Sequence, residues 1–499
     1  MRPSRVSRLF AAFAGMLVLA GSAAAQQTSK SWVIAGAQVA DGTGKPLRAA
    51  SVRVEGDRIT EVGNFRPKKG ETVVRGDGLV LAPGFIDTHN HSTGGLERSP
   101  RAETQISQGL TTLLLGQDGG SPWPIAEYLQ KRRADPPALN FLMLVGHATV
   151  REKVMGDDFK RAARPDEIAA MEKLVEQGMR EGAVGLSSGL EYEMGSYSTT
   201  DEVVALAHVA GKRGGFYISH IRDEADRMLE ALREAIAIGE RGHLPVQVTH
   251  IKMGTVGVWH KAPEAARLIE EARRRGVDVT ADCYPYLAWH SGMKVLVPNK
   301  QWEDPASVAK ALVDVGGAQN ITISRSEARP EYEGRTLAEI ALARAVTPIE
   351  LFIEIVRVED PSIIGHTMIE EDMRTFYQQP WVMVSSDGGI GMRHPRGAGT
   401  FPRVLGEFVR EKKWLTLEEA IRKMTSLPAA RLKLKDRGRI AKGMKADLVL
   451  FDATRVRDRS TFQEPMLLSE GIEKVWVNGA MVWDGGKPTG ARPGRVLPK

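Results

Sequence analysis

Eight short apolar runs alternate with amphipathic helical segments through most of the chain, and this alternation constrains the fold more than any other feature of the sequence. Uninterrupted apolar runs between helices are typical of parallel strands that are buried on both faces. The runs are residues 79–91, 110–118, 138–147, 183–190, 216–220, 245–250, 277–284 and 381–387. Eight parallel strands with crossover helices predict an α/β protein built on a closed (β/α)8 barrel, the TIM barrel.

The segments outside these runs differ in character. Residues 26–82 and 435–499 show short alternating strand patterns, and Asn478-Gly479 is a typical β-hairpin turn. Because each end offers only hairpins, we expect the two ends to pair into one small β-sandwich. Residues 83–434 then form the barrel. The long connection between the seventh and eighth runs, at about 291–378, predicts an inserted lobe beside the barrel mouth.

Six of the eight runs end in a possible metal ligand or acid/base. His89 and His91 are one residue apart, so both side chains lie on the same face of a strand. The other five runs end in Asp118, His147, His220, His250 and Asp387. Since catalytic residues of such barrels lie at the carboxyl ends of the strands, we expect these side chains to meet at one mouth.

This set of side chains suits metal-dependent hydrolysis. The reaction needs ligands that leave one metal position open for water, and a base that takes the water's proton. His89, His91, His220 and His250 supply imidazole ligands, and Asp387 supplies a carboxylate. Taken singly, each histidine could be a structural strand-end residue and Asp387 could cap a helix, but their joint occurrence favours a metal site.

The first 25 residues have the form of a cleaved signal peptide. Arg2, Arg5 and Arg8 precede a short apolar stretch at 9–20, and alanines at 23–25 form a small-residue cleavage site. The apolar stretch is too short to span a bilayer, which needs about 18 or more residues. We therefore expect export to the periplasm, or secretion, without a stable membrane anchor.

Charge and cysteine content exclude other classes of protein. The formal net charge of +6 includes the three arginines of the leader, and no Lys/Arg cluster interleaved with aromatic residues indicates nucleic-acid binding. Cys283 is the only cysteine, so no intramolecular disulfide can form. The sequence leaves the oligomeric state open.

Several segments together resemble one family. They are PGFIDTHNH at 83–91, VGHATVREKVMG at 145–156, GAVGLSSGLEYEMGSYS at 182–198, ISHIRDEAD at 218–226, VTHIK at 248–252, DCYPY at 282–286, SSDGG at 385–389 and HPRGAGTFPRVLG at 394–406. With them, the chain resembles the D-aminoacylase (N-acyl-D-amino-acid deacylase) family of the amidohydrolase superfamily. The resemblance covers almost all of the mature chain.

The resemblance implies a role for each ligand. His220 and His250 would hold a tightly bound zinc ion, His89 and His91 a second, weaker site, and Asp387 would be the general acid/base. The family places a cysteine at the end of the second strand, whereas this chain has Asp118. A carboxylate can bridge two ions but is less selective for zinc, so one or two Zn2+ ions are expected and Mn2+ or Co2+ is compatible.

Two glutamates and a family-like segment at the third run provide further candidates near the ligands. Glu191 and Glu193 follow the fourth run and are fallback ligands, although ordinary loop carboxylates explain them as well. His147 and Arg151 lie in a family-like segment, and we expect them to support or pack against the site.

The resemblance also implies substrate contacts and a reaction. Lys252, Arg396 and a tyrosine at Tyr284 or Tyr286 would bind the substrate's carboxylate, for which a guanidinium is well suited. The expected activity is hydrolysis of an N-acyl-D-amino acid to a carboxylate and a free D-amino acid. The substrate is thus a small N-acylated amino acid or a short peptide.

Two alternative functions are compatible with the sequence. One is a cyclic-amide hydrolase, or a dipeptidase that acts on peptides containing D-residues. The lack of a lysine at the end of the fourth run, where many cyclic amidases carry a carbamylated one, disfavours the cyclic-amide form. The other is a non-catalytic binding protein with the same fold, which the intact set of ligands and acid/base makes improbable.

Overall fold

A computed structural model describes residues 31–498. The predicted signal peptide, residues 1–25, lies outside the described residues. Within 31–498, no helix combines the length and the apolar composition needed to cross a membrane.

Eight parallel strands form a closed barrel, as the alternation of runs predicts. In chain order they are Phe85–Asp87, Leu110–Leu115, Asn140–Met143 with Val145–Gly146, Leu186–Gly189, Tyr217–His220, Val246–Val248, Val279–Cys283 and Val382–Val384. The third strand is interrupted at Leu144, and its two halves pair with the second and fourth strands. A parallel bridge between Asn90 and Gly388 joins the first strand to the eighth. The (β/α)8 fold is confirmed.

Helices connect the strands and cover the outside of the barrel. They are Thr93–Arg98, Glu103–Ile106, Ile125–Ala134, His147–Met155, Pro165–Glu181, Glu193–Ser196, Thr200–Lys212, Met228–Gly242, Ala262–Arg274, Glu370–Tyr377, Arg396–Arg403, the π-helical Val404–Glu411, Leu417–Met424 and Ser426–Arg431, with 3-10 turns at Gly156–Asp158 and Val256–Val258. Buried apolar residues of these helices and of the strands form one large core.

The connection between the seventh and eighth strands folds into a lobe with its own core. Its strands Trp289–Gly292, Ile321–Arg325 and Ser362–Gly365 form an antiparallel sheet, and its helices are Pro305–Asp314, Leu337–Ala343 and Pro348–Val356. Short 3-10 turns lie at Met293–Leu296, Ala318–Asn320 and Pro330–Tyr332. The lobe's hydrophobic cluster includes Met293, Val308 and Phe352 and is separate from the barrel core.

Strands from both ends of the described chain form one nine-stranded sheet. They are Trp32–Val39, Arg48–Glu55, Arg58–Gly63, Thr72–Arg75, Val80–Pro83, Leu448–Phe451, Ile472–Val477, Ala480–Asp484 and Lys487–Pro488. Val80–Pro83 pairs antiparallel with Leu448–Phe451, which joins the two ends. Trp32 and Trp476 stack with ring centroids 5.1 Å apart inside a cluster that both ends contribute to.

The Asn478-Gly479 turn forms the predicted hairpin. Both residues have positive φ, 49° and 80°, as a type I′ turn requires. A Cβ on Gly479 would lie 2.1 Å from the carbonyl oxygen of Gly56, so only glycine fits against the neighbouring turn.

A buried polar cluster joins this sheet to the barrel. Asp447, beside the strand Leu448–Phe451, forms an ion pair with Arg437 and accepts hydrogen bonds from the Asn478 amide at 2.6 Å and from Asn140 Nδ2 at 3.1 Å. Asn140 begins the third barrel strand. The Asp447 carboxylate therefore satisfies donors from both parts of the molecule.

We expect Asp447→Ala to lower the free energy of unfolding by about 3–5 kcal/mol, because Arg437 and two other donors would stay buried without an acceptor. Urea unfolding followed by circular dichroism measures this loss. Asp484→Ala is the control: its carboxylate is half exposed, pairs with Lys474, and should cost under about 1 kcal/mol. Equal losses in the two variants would contradict the role given to Asp447.

Candidate metal centre and substrate cavity

Four of the predicted residues meet where the first, second and eighth strands end. His89 Nε2 and His91 Nε2 lie 3.2 Å apart, and Asp387 Oδ1 is 3.1 Å from His91 Nε2 and 3.4 Å from His89 Nε2. Asp118 Oδ1 lies 3.4 Å from His89 Nε2, and Asp118 Oδ2 lies 3.5 Å from His91 Nε2. Within residues 31–498 these side chains form one group that could hold an ion.

The spacing of these donor atoms fits a divalent metal. Ligands at zinc distances in tetrahedral geometry lie about 3.3–3.5 Å apart, close to the separations observed. Asp118 Oδ1 is buried and has no hydrogen-bond partner in the described part of the chain. A buried carboxylate oxygen without a donor is costly, and a bound cation would satisfy it.

His220 and His250 form a second donor set that shares Asp118. His220 Nδ1 lies 2.9 Å from His250 Nε2, and Asp118 groups with both. The structure thus brings all five predicted ligands together, with one carboxylate common to both sets. This arrangement can hold one ion or two.

Three of these side chains are held by left-handed backbone. Asp118, His250 and Asp387 have φ values of 53°, 34° and 45°, which non-glycine residues rarely adopt. Asp118 and Asp387 lie three residues after the end of a barrel strand and His250 lies two residues after one, where the chain turns into a connecting loop. Strained conformations of this kind concentrate at functional sites, where the surrounding structure maintains them.

Two glutamates orient the second histidine pair. His220 Nε2 lies 2.7 Å from Glu191 Oε2, and donation of its proton leaves the Nδ1 lone pair facing His250. His250 Nδ1 lies 3.0 Å from Glu224 Oε1, and donation there leaves the Nε2 lone pair facing His220. Lys252 Nζ, 2.6 Å from Glu224 Oε2, neutralises that carboxylate. Carboxylate partners commonly fix the orientation of metal-binding histidines in this way.

The charges at the site shift the pKa of its members. Burial disfavours the charged form of His89, but the carboxylates of Asp118 and Asp387 outweigh it and raise the His89 pKa to about 9. Burial also opposes ionisation of Asp387, yet Arg396, His250 and His89 hold its pKa well below the usual range. The site therefore combines ionised carboxylates with imidazoles, and a metal cation would compete with protons for the imidazole nitrogens.

Asp387 also faces the predicted carboxylate-binding arginine. Arg396 Nη1 lies 2.8 Å from Asp387 Oδ2, and the guanidinium is 4.8 Å above the ring of Tyr284. The Asp387 contact is close but poorly aligned, so among the described residues Nη1 and Nε of Arg396 have no hydrogen-bond partner. The side chain is only 2% exposed, and its free N–H groups are available to an anionic ligand.

A cavity of about 620 Å³, its open mouth included, lies over these residues. Lys252 and Arg396 both line it, whereas neither Tyr284 nor Tyr286 is among the described lining residues. Tyr284 supports Arg396 from behind. Tyr286 instead donates a hydrogen bond from its hydroxyl to Asp458 Oδ2 at 3.1 Å, and this contact draws it away from the cavity.

Of the remaining predicted residues, Glu191 lies beside a ligand and the other three lie apart from the ligands. Glu193 pairs with Lys160 at 2.8 Å near the surface, whereas Glu191 lies at the site. His147 and Arg151 bind Glu202 in a fully buried cluster, with distances of 2.9 Å and 2.6 Å to Glu202 Oε1. The structure thus gives His147 and Arg151 a packing role.

Sequence reasoning missed the part of the site that loops and the lobe contribute. Glu224 follows His220 by four residues in ISHIRDEAD, a segment noted for its resemblance but without an assigned role. Tyr192, Trp289, His290 and Leu296 also line the cavity. The sequence did indicate one part of this region, because Glu191 and Glu193 follow the fourth strand and were named as fallback ligands.

Comparisons with known proteins agree with this geometry. Residues 72–483 match the Amidohydrolase family called Amidohydro_3. The chain is 36% identical over 490 residues to D-aminoacylase of Alcaligenes xylosoxydans xylosoxydans, covering 93% of this chain and 97% of that protein. It is 37% identical over 494 residues to N-acyl-D-glutamate deacylase of the same organism, covering 93% and 96%.

A solved structure also superimposes closely. It is N-acyl-D-glutamate deacylase from Bordetella bronchiseptica, complexed with zinc and a phosphonate inhibitor that mimics the tetrahedral reaction intermediate. The TM-score is 0.85 at 33% sequence identity, and the match covers 94% of this chain and 99% of that one.

We expect Glu224→Gln to weaken zinc binding about 10–100-fold, because His250 loses its carboxylate partner and the Lys252 cation stays unneutralised beside the ligands. Competition titration against a chromophoric chelator measures the affinity. Glu193→Gln, a matched change at the surface ion pair with Lys160, should leave it unchanged. An unaltered affinity in Glu224→Gln would refute the orienting role.

Proposed function

The chain belongs to the Amidohydrolase family, and on that premise we propose that it is a zinc-dependent deacylase that hydrolyses N-acyl-D-amino acids to a carboxylate and a free D-amino acid. The observation that carries the proposal is the position of Asp387. Its Oδ1 lies 3.1 Å from His91 Nε2 among the ligands, and its Oδ2 lies 2.8 Å from Arg396. In an N-acyl amino acid, the scissile amide and the free carboxylate are attached to the same α-carbon. A substrate with its amide beside Asp387 Oδ1 and its carboxylate at Arg396 therefore fits this short spacing.

The residues that would hold zinc are the two donor sets, His89, His91, Asp118, His220 and His250. When bound, zinc polarises the acyl carbonyl and makes water a stronger acid. Asp118 lies between the two sets and replaces the thiolate expected from the family. Because carboxylates are harder ligands than thiolates, Mn2+ or Co2+ is also compatible with the site.

Asp387 serves as general base and then as general acid. Its Oδ1 faces the ligand cluster, where it takes a proton from the attacking water and returns that proton to the nitrogen of the leaving amine. Arg396 holds Oδ2, so the oxygen that faces the reaction is kept in one orientation. Oδ2 of Asp387 thus fixes the orientation of the carboxylate, and Oδ1 transfers the proton.

Arg396 binds the substrate's free carboxylate. Its unsatisfied N–H groups, its burial and its support by the Tyr284 ring all favour an anion at this point. Lys252 lines the same cavity, but its ammonium already donates to Glu224 and to the His250 carbonyl, whereas Nη1 and Nε of Arg396 have no aligned acceptor among the described residues. Arg396 is therefore the main anchor that sets the scissile bond beside Asp387.

The alternative substrates are less well supported. The fourth strand, Leu186–Gly189, contains no lysine that could be carbamylated, which disfavours a cyclic-amide hydrolase. A dipeptide also ends in a free carboxylate, so Arg396 would bind it too. Faster turnover of a hydantoin or of a D-residue dipeptide than of any N-acetyl-D-amino acid would contradict the proposal.

We infer from residues 1–25 that the enzyme is exported to the periplasm or secreted. The basic start, the short apolar stretch and the alanines before Gln26 support this inference. Cell fractionation with amino-terminal sequencing tests it. A mature protein that retains Met1 and stays in the cytoplasm would overturn it.

We expect Asp387→Asn to lower kcat for N-acetyl-D-amino acids about 10²–10⁴-fold while zinc remains bound, since an amide cannot transfer the proton. Chelation should abolish wild-type activity and added zinc should restore it. The control is Asp201→Asn, at a carboxylate that is 77% exposed, which should keep full activity. Full activity of a zinc-loaded Asp387→Asn enzyme would exclude Asp387 as the acid/base.

A further inference from the structure

The inserted lobe forms an apolar wall over the catalytic residues. The apolar lining residues that come from the lobe are Trp289, Val295, Leu296, Pro298 and Val315, and they share the cavity with His220 and His250. Trp289 and Leu296 belong to the lobe's own hydrophobic cluster, which holds the wall in place. The wall faces the space that a substrate at Arg396 would occupy.

The charges that line the cavity are already paired. Its two cationic side chains each contact a carboxylate, Lys252 with Glu224 at 2.6 Å and Arg396 with Asp387 at 2.8 Å. Asp314 also lines the cavity, at the end of the lobe helix Pro305–Asp314. Among the described lining residues, carboxylates outnumber lysine and arginine even before a substrate adds its own.

The remaining imidazole on this side does not supply a cation. His290 lines the same cavity, and burial, with Arg396 nearby, lowers its pKa to about 3. One substrate carboxylate can use Arg396. Within residues 31–498, the cavity offers no further free cation for a second carboxylate, which would then be desolvated without a partner.

The position of Arg396 indicates which part of the substrate meets the wall. Arg396 Nη2 donates a hydrogen bond to the carbonyl oxygen of His290 at 3.3 Å, so the carboxylate anchor touches the lobe strand Trp289–Gly292. The α-carbon carries both the carboxylate and the side chain, whereas the acyl carbon lies at the metal ligands. The side chain is attached to the same α-carbon as the anchored carboxylate, so it lies within reach of the lobe residues that line the cavity.

Resting on the function proposed above, we propose that the enzyme prefers N-acyl-D-amino acids with apolar side chains over those with acidic ones. Sequence identity does not decide this point, because the chain is 36% identical to D-aminoacylase and 37% identical to N-acyl-D-glutamate deacylase. The proposed preference rests on the apolar wall and on the paired charges of the cavity.

A panel of N-acetyl-D-alanine, N-acetyl-D-leucine and N-acetyl-D-glutamate tests the preference. We expect kcat/KM for the leucine substrate to exceed that for the glutamate substrate about 100-fold. Equal values, with alanine also hydrolysed, would overturn the preference and leave the deacylase function standing. Failure to hydrolyse any of the three by the zinc-loaded enzyme would overturn the function itself.

A positive charge placed in the wall tests whether the wall contacts the substrate's side chain. Val295→Arg, at a half-buried wall position, should reduce the leucine-to-glutamate ratio at least about tenfold. Val313→Arg introduces the same charge on the same lobe at a residue 69% exposed and outside the lining, and should leave the ratio unchanged. If Val295→Arg leaves the ratio unchanged, or alters only the preference between acetyl and hexanoyl D-leucine, the wall does not bind the side chain.

Discussion

Two backbone hydrogen bonds between the first and eighth strands close the barrel at the mouth, and the whole site depends on them. The His91 amide donates to the Gly388 carbonyl at 2.7 Å, and the Asp387 amide donates to the His89 carbonyl at 3.0 Å. The buried carboxylate of Asp87 reinforces the closure by accepting from the Ser386 amide at 3.0 Å. Closure sets Asp387 beside two histidines almost 300 residues earlier in the chain.

The lysine and the arginine buried near the mouth each lie beside a carboxylate, and in the proposed function these two pairs act on metal binding and on substrate selection. Lys252 and Glu224 pair behind His250, while Arg396 and Asp387 pair in front of the ligands. Unpaired ions would be too costly at this depth. Both cations that line the cavity contact a carboxylate, and the lobe adds apolar lining residues; the proposed preference for one carboxylate and one apolar group rests on these two features.

The sequence was informative wherever a local pattern has a local cause. Alternating apolar runs predict parallel strands because burial on both faces requires them, and Asn478-Gly479 predicts its hairpin because both residues tolerate positive φ. The candidate ligands were also predictable, because the carboxyl ends of all parallel strands lie at one mouth of the barrel. Glu224 and the lobe residues at the cavity follow no such period, and the long-range contact of Tyr286 with Asp458 placed it away from the cavity despite its match to the family pattern.

The sequence by itself therefore determined the barrel, the five candidate ligands, the candidate acid/base and the class of chemistry, because these follow from strand periodicity, side-chain type and the segments that resemble the family. Tertiary structure alone decided that Asp118 is shared between both donor sets, that Glu191 and Glu224 orient the histidines, and that the lobe closes the cavity with apolar side chains. The physical reason is that these properties arise from distances between elements far apart in the chain, which barrel closure and the packing of the lobe set.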